Sequence, residues 1–269
     1  MSHAVSVTGI PGWVDAERLL GVGSWSRDSD STWTASLPRD DAAFLMARLR
    51  NIGLGGTPIE VHVRPRLKRP AVRAGRTQDA RARRDTTPGF TRPGVRLDEE
   101  GRYSLTPEAL ALRMGKAAQG RHVTDLGCGA GGNSIGFARA GCDVLAIEHH
   151  DGRRQDMLHN AAVYGVRDRI TPLDHLPDDA TGDLLFIDPP WGTDYDRLRT
   201  AAQDLPLLLE AAQRVRAGHF REMWAKLPPS FDPATVEGAD ATAVFGLRPG
   251  DAHRVKFVWL RFAGTEAAS

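Results

Sequence analysis

The sequence has little cysteine and no long apolar run, and both shortages exclude whole classes of protein. The two cysteines, Cys128 and Cys142, fit neither a disulfide framework nor a metal-ligand spacing, so reduced thiols are expected. No apolar run approaches the roughly 18 residues of a membrane span, and residues 1–13 lack the basic start and apolar core of a signal peptide. We therefore expect a soluble, cytoplasmic protein that does not contact a membrane.

An excess of charge is also missing, because 35 Lys and Arg residues balance 34 Asp and Glu residues and the formal net charge is +1. The basic residues are nevertheless unevenly distributed along the chain. Residues 62–97 hold eleven Arg or Lys and only two acids, Asp79 and Asp85, so the remainder is net acidic. This asymmetry indicates either a polyanionic partner or a solvated, flexible linker.

The succession of apolar, glycine-rich and proline-rich stretches predicts three regions. Residues 1–64 combine short strands with a helix that opens after Pro38, which indicates a small α/β accessory domain. Residues 65–96 are rich in Arg, Pro and Gly and are expected to form a linker, or an arm over the active site. Residues 97–265 alternate strands and helices, which predicts an α/β fold with an open, mostly parallel sheet covered on both faces.

Three local predictions concern the third region. A hairpin-like approach is expected over 97–105, followed by a helix with Thr106 as its N-cap and Pro107 at its first position. A later helix is expected over 196–217, with a break near Pro206.

A glycine-rich stretch dominates this region. It is typical of a buried strand over 123–126, a turn with Gly127 and Gly129, and a helix from Asn133. Such a unit can hold a nucleotide-like ligand, although the same glycines occur wherever a strand turns tightly into a helix. A second strand ends at Glu148, about twenty residues beyond the loop, where a carboxylate can bind both hydroxyls of a ribose.

Two motifs resemble those of a large enzyme class. D-x-G-C-G-x-G-G, which begins at Asp125, resembles the first motif of class I S-adenosylmethionine (SAM) methyltransferases. D-P-P-W, from Asp188 to Trp191, resembles the fourth motif of the members that methylate amino groups. The resemblance implies a Rossmann-like sheet with an antiparallel terminal hairpin, and SAM as the cofactor.

A narrower resemblance, to the trimethylguanosine synthase family of RNA cap guanine-N2 methyltransferases, extends over about 90–262. Four segments carry it: GVRLDEEGRYSLTPE (94–108), DLGCGAGGNSIGFA (125–138), VLAIEHHDGRRQDMLHNAAVYGV (144–166) and DPPWGTDY (188–195). The family usually has Ser where this chain has Asp188, and the present motif is one residue shorter after its Trp. Many adenine-N6 and ribosomal guanine-N2 enzymes have Asp at that position. The first ninety residues show no resemblance.

The D-P-P-W turn suits transfer of a methyl group to an amine. An exocyclic purine amine is a poor nucleophile because its lone pair is conjugated with the ring. The Asp188 carboxylate and the Pro189 carbonyl can each accept one N–H, which favours a pyramidal nitrogen and stabilises its developing charge. Trp191 offers a flat face for base stacking, and Pro189 and Pro190 stiffen the turn.

The remaining candidates follow from position and from the resemblance. The full set of predicted cofactor residues is Thr106, Asp125, Gly127, Gly129, Asn133, Glu148 and Asp174, and the predicted substrate contacts are Pro190, Trp191, Tyr195, Arg197 and Lys226. Asp125 is expected near the methionine end of SAM, and Asp174 near its adenine amine. His149, His150 and His159 lack a metal-binding pattern, so no metal is expected.

Three functions fit these observations. The first is methylation of an exocyclic amine, such as guanine N2, in RNA. The second is the same chemistry on a small molecule, either a free nucleotide or the precursor of a secondary metabolite. The third is a non-catalytic RNA-binding protein, which the intact loop, ribose acid and D-P-P-W turn disfavour. The partner is therefore expected to be RNA or a nucleotide-like small molecule.

Overall fold

The computed structural model describes residues 2–191 and 195–264, apart from the side chain of Glu100. Gly192, Thr193 and Asp194 of the DPPWGTDY segment lie outside the described residues, as does residue 265 at the end of the predicted third region. The fourth motif is thus described from Asp188 to Trp191 and again at Tyr195.

Six strands and three helices occupy the described chain before residue 87. They are β1 (Ser2–Thr8), α1 (Ala16–Leu20), β2 (Ser26–Arg27), β3 (Thr32–Pro38), α2 (Arg39–Arg48), β4 (Gly53–Leu54), β5 (Thr57–Pro58), β6 (Glu60–Arg64) and α3 (Arg69–Ala82). An antiparallel sheet has the order β2-β3-β1-β6. Alternate residues of β1, among them Val5 and Val7, are buried, as expected of a strand with one face on a core.

Residues 69–82 of the predicted linker or arm form helix α3 rather than irregular structure. Its buried residues, Ala71, Gly75 and Asp79, recur every four residues and so lie on one face. A Cβ atom at Gly75 would lie 2.3 Å from the carbonyl oxygen of Ala43 in α2, so only glycine allows this approach of the two helices. The composition pointed to a linker because the buried face consists of small residues rather than large apolar ones.

Five α-helices and seven strands follow residue 87 in the described chain. They are α4 (Glu99–Ser104), α5 (Glu108–Ala117), β7 (His122–Leu126), α6 (Gly132–Arg139), β8 (Asp143–Ile147), α7 (Asp151–Val163), β9 (Ile170–Leu173), β10 (Gly182–Ile187), α8 (Pro206–Arg216), β11 (Phe220–Leu227), β12 (Asp240–Phe245) and β13 (Val255–Ala263). None of the helices in the described ranges is long and apolar enough to cross a bilayer.

The seven strands described after residue 87 form one sheet with the order β12-β13-β11-β10-β7-β8-β9. The pairs from β11 to β9 are parallel, and their register places Val123 opposite both Leu184 and Val144. Between β12 and β13 the connection over 246–254 is too short for a parallel crossover, which fits the expected terminal hairpin. The predicted α/β, Rossmann-like fold class is confirmed.

Three local predictions for this region are wrong. Residues 99–104 form helix α4 instead of part of a hairpin, because the Asp98 carboxylate caps the helix by accepting the N–H of Gly101. The N-cap of α5 is Pro107 rather than Thr106, and no side chain caps that helix. The helix expected over 196–217 is an α-helix only from Pro206, where the fixed φ of proline suits a first helical position.

The described chain divides into two compact units. The first comprises residues up to Thr86, the described part of 191–204, and residues 227–259; the second comprises 87–190, 205–226 and residues from Leu260. Within the first unit, the Arg18 guanidinium donates to the carbonyl oxygens of Ala252 and Gly246, so the N-terminal residues hold the later segment by polar contacts. The domain boundaries predicted at residues 64 and 96 stay a prediction.

Candidate active site

The glycine-rich loop follows β7 and precedes α6 in the second unit. Gly127, Gly129 and Gly131 have φ values of 82°, 54° and 90°, which residues with a side chain rarely adopt. The N–H groups of Gly127 and Cys128 both donate to the carbonyl oxygen of Ile147, each over 2.9 Å. The loop is therefore fixed to the end of the neighbouring strand β8.

Asp125 lies on β7 just before this loop and is completely buried. Its Oδ2 accepts a hydrogen bond of 2.5 Å from the hydroxyl of Ser134 in α6. Burial, reinforced by the nearby negative charges of Asp188 and Glu148 and opposed by the Ser134 hydrogen bond, raises the pKa of Asp125 to about 7. This carboxyl group can thus take up or release a proton near neutral pH.

Glu148 directly follows β8 and is 4% exposed. Its Oε2 accepts the N–H of Gly129 over 3.0 Å, and its Oε1 accepts the N–H of His150 over 2.8 Å. The carboxylate is held in one orientation against the loop, and its contact with a ribose stays a prediction.

Three buried polar atoms at this loop have no hydrogen-bond partner among the described residues. They are Thr106 Oγ1, Asp125 Oδ1 and Asn133 Oδ1. Thr106 lies close to the start of α6, since a Cβ atom at Gly132 would be 3.8 Å from the Thr106 carbonyl oxygen. Native proteins rarely leave buried polar atoms unpaired, and a ligand with hydroxyl and amino groups would satisfy them. All three atoms belong to predicted cofactor residues, so the residues present fit SAM.

Asp188 follows β10, and Lys226 lies near the end of the adjacent strand β11. The Lys226 ammonium donates to Asp188 Oδ2 over 2.7 Å and to the carbonyl oxygen of Ser104 over 2.9 Å. The Asn133 side-chain amide donates to the same carboxylate oxygen over 3.4 Å. Burial raises the pKa of Asp188, and the charge and hydrogen bond of Lys226 oppose that rise. Lys226 was predicted to contact substrate; it is 5% exposed and ion-paired with the predicted catalytic acid.

The remaining residues of the D-P-P-W turn differ in exposure. Pro189 is buried, Pro190 is exposed and Trp191 is half-buried. The rings of Trp191 and Tyr195 meet edge to face, with centroids 5.9 Å apart and an angle of 70° between their planes. These two predicted substrate contacts therefore lie next to each other.

Two further predicted site residues, besides Pro190, have exposed side chains. Asp174 follows β9, and its carboxylate is 2.6 Å from the ring nitrogen Nδ1 of His175. This hydrogen bond is the main cause that lowers the pKa of Asp174. The carbonyl oxygen of Arg197 accepts the N–H of Gly53, while its side chain is exposed. Contact of Asp174 with adenine and of Arg197 with substrate stays a prediction.

Asn160 on α7 is a site-shaping residue to which the sequence assigned no role. Its side chain exchanges two hydrogen bonds with the backbone of Arg96 and donates to the carbonyl oxygen of Ala130 in the glycine-rich loop. Asn160 thereby ties the segment before α4 to the loop. Asn160 opens the N-A-x-V-Y-G pattern of the 144–166 segment, which could have drawn attention to it. Its role depends on contacts with residues distant in sequence, which the pattern does not contain.

No group of three or more His, Cys, Asp or Glu residues in the described ranges is arranged to hold a metal ion.

The comparisons with known proteins concern this same region. Residues 120–206 match the family model for RNA cap guanine-N2 methyltransferases. These residues include the glycine-rich loop and the D-P-P-W turn. Over 115 residues the chain is 32% identical to trimethylguanosine synthase of Schizosaccharomyces pombe (strain 972 / ATCC 24843). That match covers 37% of this chain and 47% of that protein, so the chain spans about half of the curated relative. The predicted resemblance is confirmed, and the match supports the predicted enzyme class and cofactor.

Solved structures of methyltransferases are similar at low identity. An RNA methyltransferase from Salinibacter ruber in complex with S-adenosyl-L-homocysteine is 17% identical, with 61% of this chain and 95% of that chain covered and a TM-score of 0.43. The T. thermophilus 16S rRNA N2 G1207 methyltransferase in complex with AdoMet and guanosine is 15% identical, with 93% and 60% covered and a TM-score of 0.45.

Proposed function

We propose that this protein is a SAM-dependent methyltransferase that methylates an exocyclic amino group, guanine N2, in RNA. The observation that carries the proposal is the Asp188 carboxylate, held at the end of β10 beside the glycine-rich loop. The match of residues 120–206 to RNA cap guanine-N2 methyltransferases supports the choice of base.

Different residues around the loop would bind different groups of SAM. Glu148 would bind the ribose hydroxyls, and the unpaired oxygen atoms of Thr106, Asp125 and Asn133 would accept or donate the remaining polar contacts. SAM supplies an activated methyl group when it is bound. Because these side chains are buried and already oriented, little conformational entropy is lost on binding.

Asp188 is suited to hold the amine that receives the methyl group. Both hydrogen bonds to its carboxylate fall on Oδ2, so Oδ1 remains to accept an amine N–H. The Pro189 carbonyl oxygen, next in the chain, can accept the second N–H. Two acceptors fixed before the reaction favour the tetrahedral nitrogen, and they stabilise its positive charge as that charge develops.

An RNA substrate is supported by the arginines of 64–84. The side chains of Arg64, Arg66, Lys68, Arg69, Arg73, Arg76, Arg81, Arg83 and Arg84 are all exposed. Asp79, one of the two acids in this stretch, is buried against Arg254 and Arg83. The surface around α3 is thus strongly positive, as expected of a protein that binds a phosphate backbone.

The experiment is methyl transfer to a short single-stranded RNA that contains one guanine, with isotopically labelled SAM. Nucleoside mass spectrometry should find N2-methylguanosine. The matched RNA with inosine, which lacks the N2 amine, should stay unlabelled. The Asp188→Ala variant should lose most transfer yet retain SAM binding, while Glu210→Ala, at an exposed site on α8, should behave as wild type.

Two outcomes would contradict the proposal. Label on the inosine RNA would place the methyl group on another atom. Transfer to free GTP but not to RNA would favour a small-molecule methyltransferase.

A further inference from the structure

Lys226 is one of only four lysines in the chain and is 5% exposed. An ammonium group buried to this extent loses most of its hydration, so nearby acceptors must replace the lost water. Its contacts include Asp188 Oδ2 at 2.7 Å and the Ser104 carbonyl oxygen at 2.9 Å, and the first of these is charge-assisted.

The register of the sheet explains why the two residues meet. Ile187 of β10 pairs with Ala225 of β11. Asp188 directly follows Ile187, and Lys226 directly follows Ala225. Both side chains lie at the same edge of two parallel strands. The contact is thus fixed by the sheet itself rather than by a loop.

Other groups face the same carboxylate. Asn133 approaches it from α6, and the buried carboxyl group of Asp125 on β7 interacts with it by charge repulsion. The negative charge of Glu148, after β8, also raises the pKa of Asp125. Lys226 therefore supplies positive charge to a region where three acidic side chains lie near one another.

We propose that Lys226 is a positioning residue that holds Asp188 as an anion, with Oδ2 bound to Lys226 and Oδ1 directed to the substrate amine. The proposal rests on the methyltransferase function given above. A protonated Asp188 would carry a donor, and it could not accept two hydrogen bonds at full strength from neighbours and substrate. The ammonium also fixes the rotation of the carboxylate, which orients its second oxygen.

The test compares Lys226→Met, which keeps the length of the side chain without its charge, with wild type across a pH series. Removing the ammonium raises the pH at which Asp188 ionises, so the acidic limb of kcat should move to higher pH by about one unit or more. At a pH below the limb of both proteins, kcat should fall by about tenfold for each unit of the shift, and the loss should return at high pH. SAM affinity should change little.

The matched control is Lys256→Met, because Lys256 is also paired with a buried aspartate, Asp251, at 3.3 Å. In Lys256→Met the acidic limb of the kcat profile should lie at the same pH as in wild type. Lys226→Arg keeps the charge and should retain the wild-type pH limb with a lower kcat. If Lys226→Met does not fold, Lys226→Arg still tests the proposal, because a shift of the acidic limb of its kcat profile would overturn it.

A second measurement does not depend on activity. Carbon NMR of the carboxyl groups, with the Asp188 signal assigned by its loss in Asp188→Asn, should show Asp188 titrating at higher pH in Lys226→Met than in wild type. Equal titration in both would overturn the role of Lys226. If Asp188 titrates at higher pH in Lys226→Met than in wild type, but the wild-type protein methylates no RNA, the proposed function is contradicted and the role of Lys226 is not.

Discussion

The carboxylate of Glu148, at the end of β8, accepts the N–H of Gly129, in the loop that follows β7, over 3.0 Å. Two neighbouring strand ends are joined by one acidic side chain. The residue that would bind the ribose is therefore also the residue that fixes the loop beside it.

Glu148→Ala should weaken SAM binding by about 1.5–3 kcal/mol, the usual value for hydrogen bonds to a charged group. Isothermal calorimetry measures the change. Glu148→Gln can still accept the Gly129 N–H but carries no charge, so it should lose less. Glu210→Ala, on the exposed surface of α8, serves as the control. Unchanged affinity in Glu148→Ala would remove Glu148 from the cofactor site.

The buried carboxyl group of Asp125 should make SAM binding depend on pH. With a pKa of about 7, Asp125 is mostly protonated at pH 6 and mostly ionised at pH 8. SAM is positively charged at its sulfonium, so it should bind the ionised form better. Affinity should rise with pH through neutrality, by up to about tenfold per pH unit below the pKa.

Calorimetry at several pH values in buffers of different ionisation enthalpy would measure both the affinity and the proton released. Asp125→Asn should bind with an affinity that varies little with pH, since its amide does not titrate. Asp178→Asn, at a fully exposed side chain, should keep the wild-type dependence. A flat profile in wild type would exclude Asp125 as the titrating group.

The sequence predicted those parts of the site whose chemistry lies in contiguous residues. The glycine-rich loop, Glu148 and the D-P-P-W turn are local patterns, and alternation of strands and helices was enough for the sheet. The pairing of Lys226 with Asp188 joins residues 38 positions apart and depends on the register of β10 with β11. No local pattern contains that register.

Helix α3 escaped prediction for a related reason. Ala71 is buried and Gly75 packs closely on α2, whereas the composition of the helix resembles that of a flexible segment. Thr106 was predicted both as an N-cap and as a cofactor residue. It does not cap α5, and its hydroxyl is buried without a partner among the described residues, which favours the second role.

Glu108 should stabilise the second unit in a pH-dependent manner. Its carboxylate accepts hydrogen bonds from the Thr91 N–H and hydroxyl, from the Tyr164 hydroxyl and from Arg139. Burial opposes the charge, but these bonds outweigh it and lower the pKa of Glu108 to about 2 from its ordinary 4.5. The difference corresponds to about 3 kcal/mol of stability, present above pH 4.5 and lost as the pH falls towards 2.

Glu108→Gln should accordingly lower the free energy of unfolding by about 2–3 kcal/mol at pH 7. The difference from wild type should shrink as the pH approaches 2, where Glu108 is protonated in both states. Urea unfolding at pH 7 and pH 3 provides the measurement, with Glu210→Gln as an exposed control. A loss that is the same at both pH values would show that packing, rather than charge, accounts for the effect.

The last prediction concerns the exposed arginines on α3. Arg69, Arg73 and Arg76 follow one another at intervals of four and three residues, so their side chains lie along one side of the helix. If RNA phosphates bind there, each bound phosphate releases counterions, and the slope of log affinity against log salt falls by about 0.7 for every phosphate of a single strand that is no longer neutralised. Replacing all three with Gln should therefore reduce the slope by up to about 2, which fluorescence anisotropy with labelled RNA can measure.

The matched control removes three positive charges elsewhere, by Arg113→Gln, Lys116→Gln and Arg221→Gln, all at exposed positions. Both triple variants have the same net charge, so a difference between them reports where the RNA binds rather than the overall field of the protein. The α3 variant should lose both RNA affinity and methyl transfer at moderate salt, while its SAM affinity remains that of wild type. Equal slopes in the two variants would show that α3 does not bind the phosphate backbone, and unchanged turnover in the α3 variant would favour a small-molecule substrate.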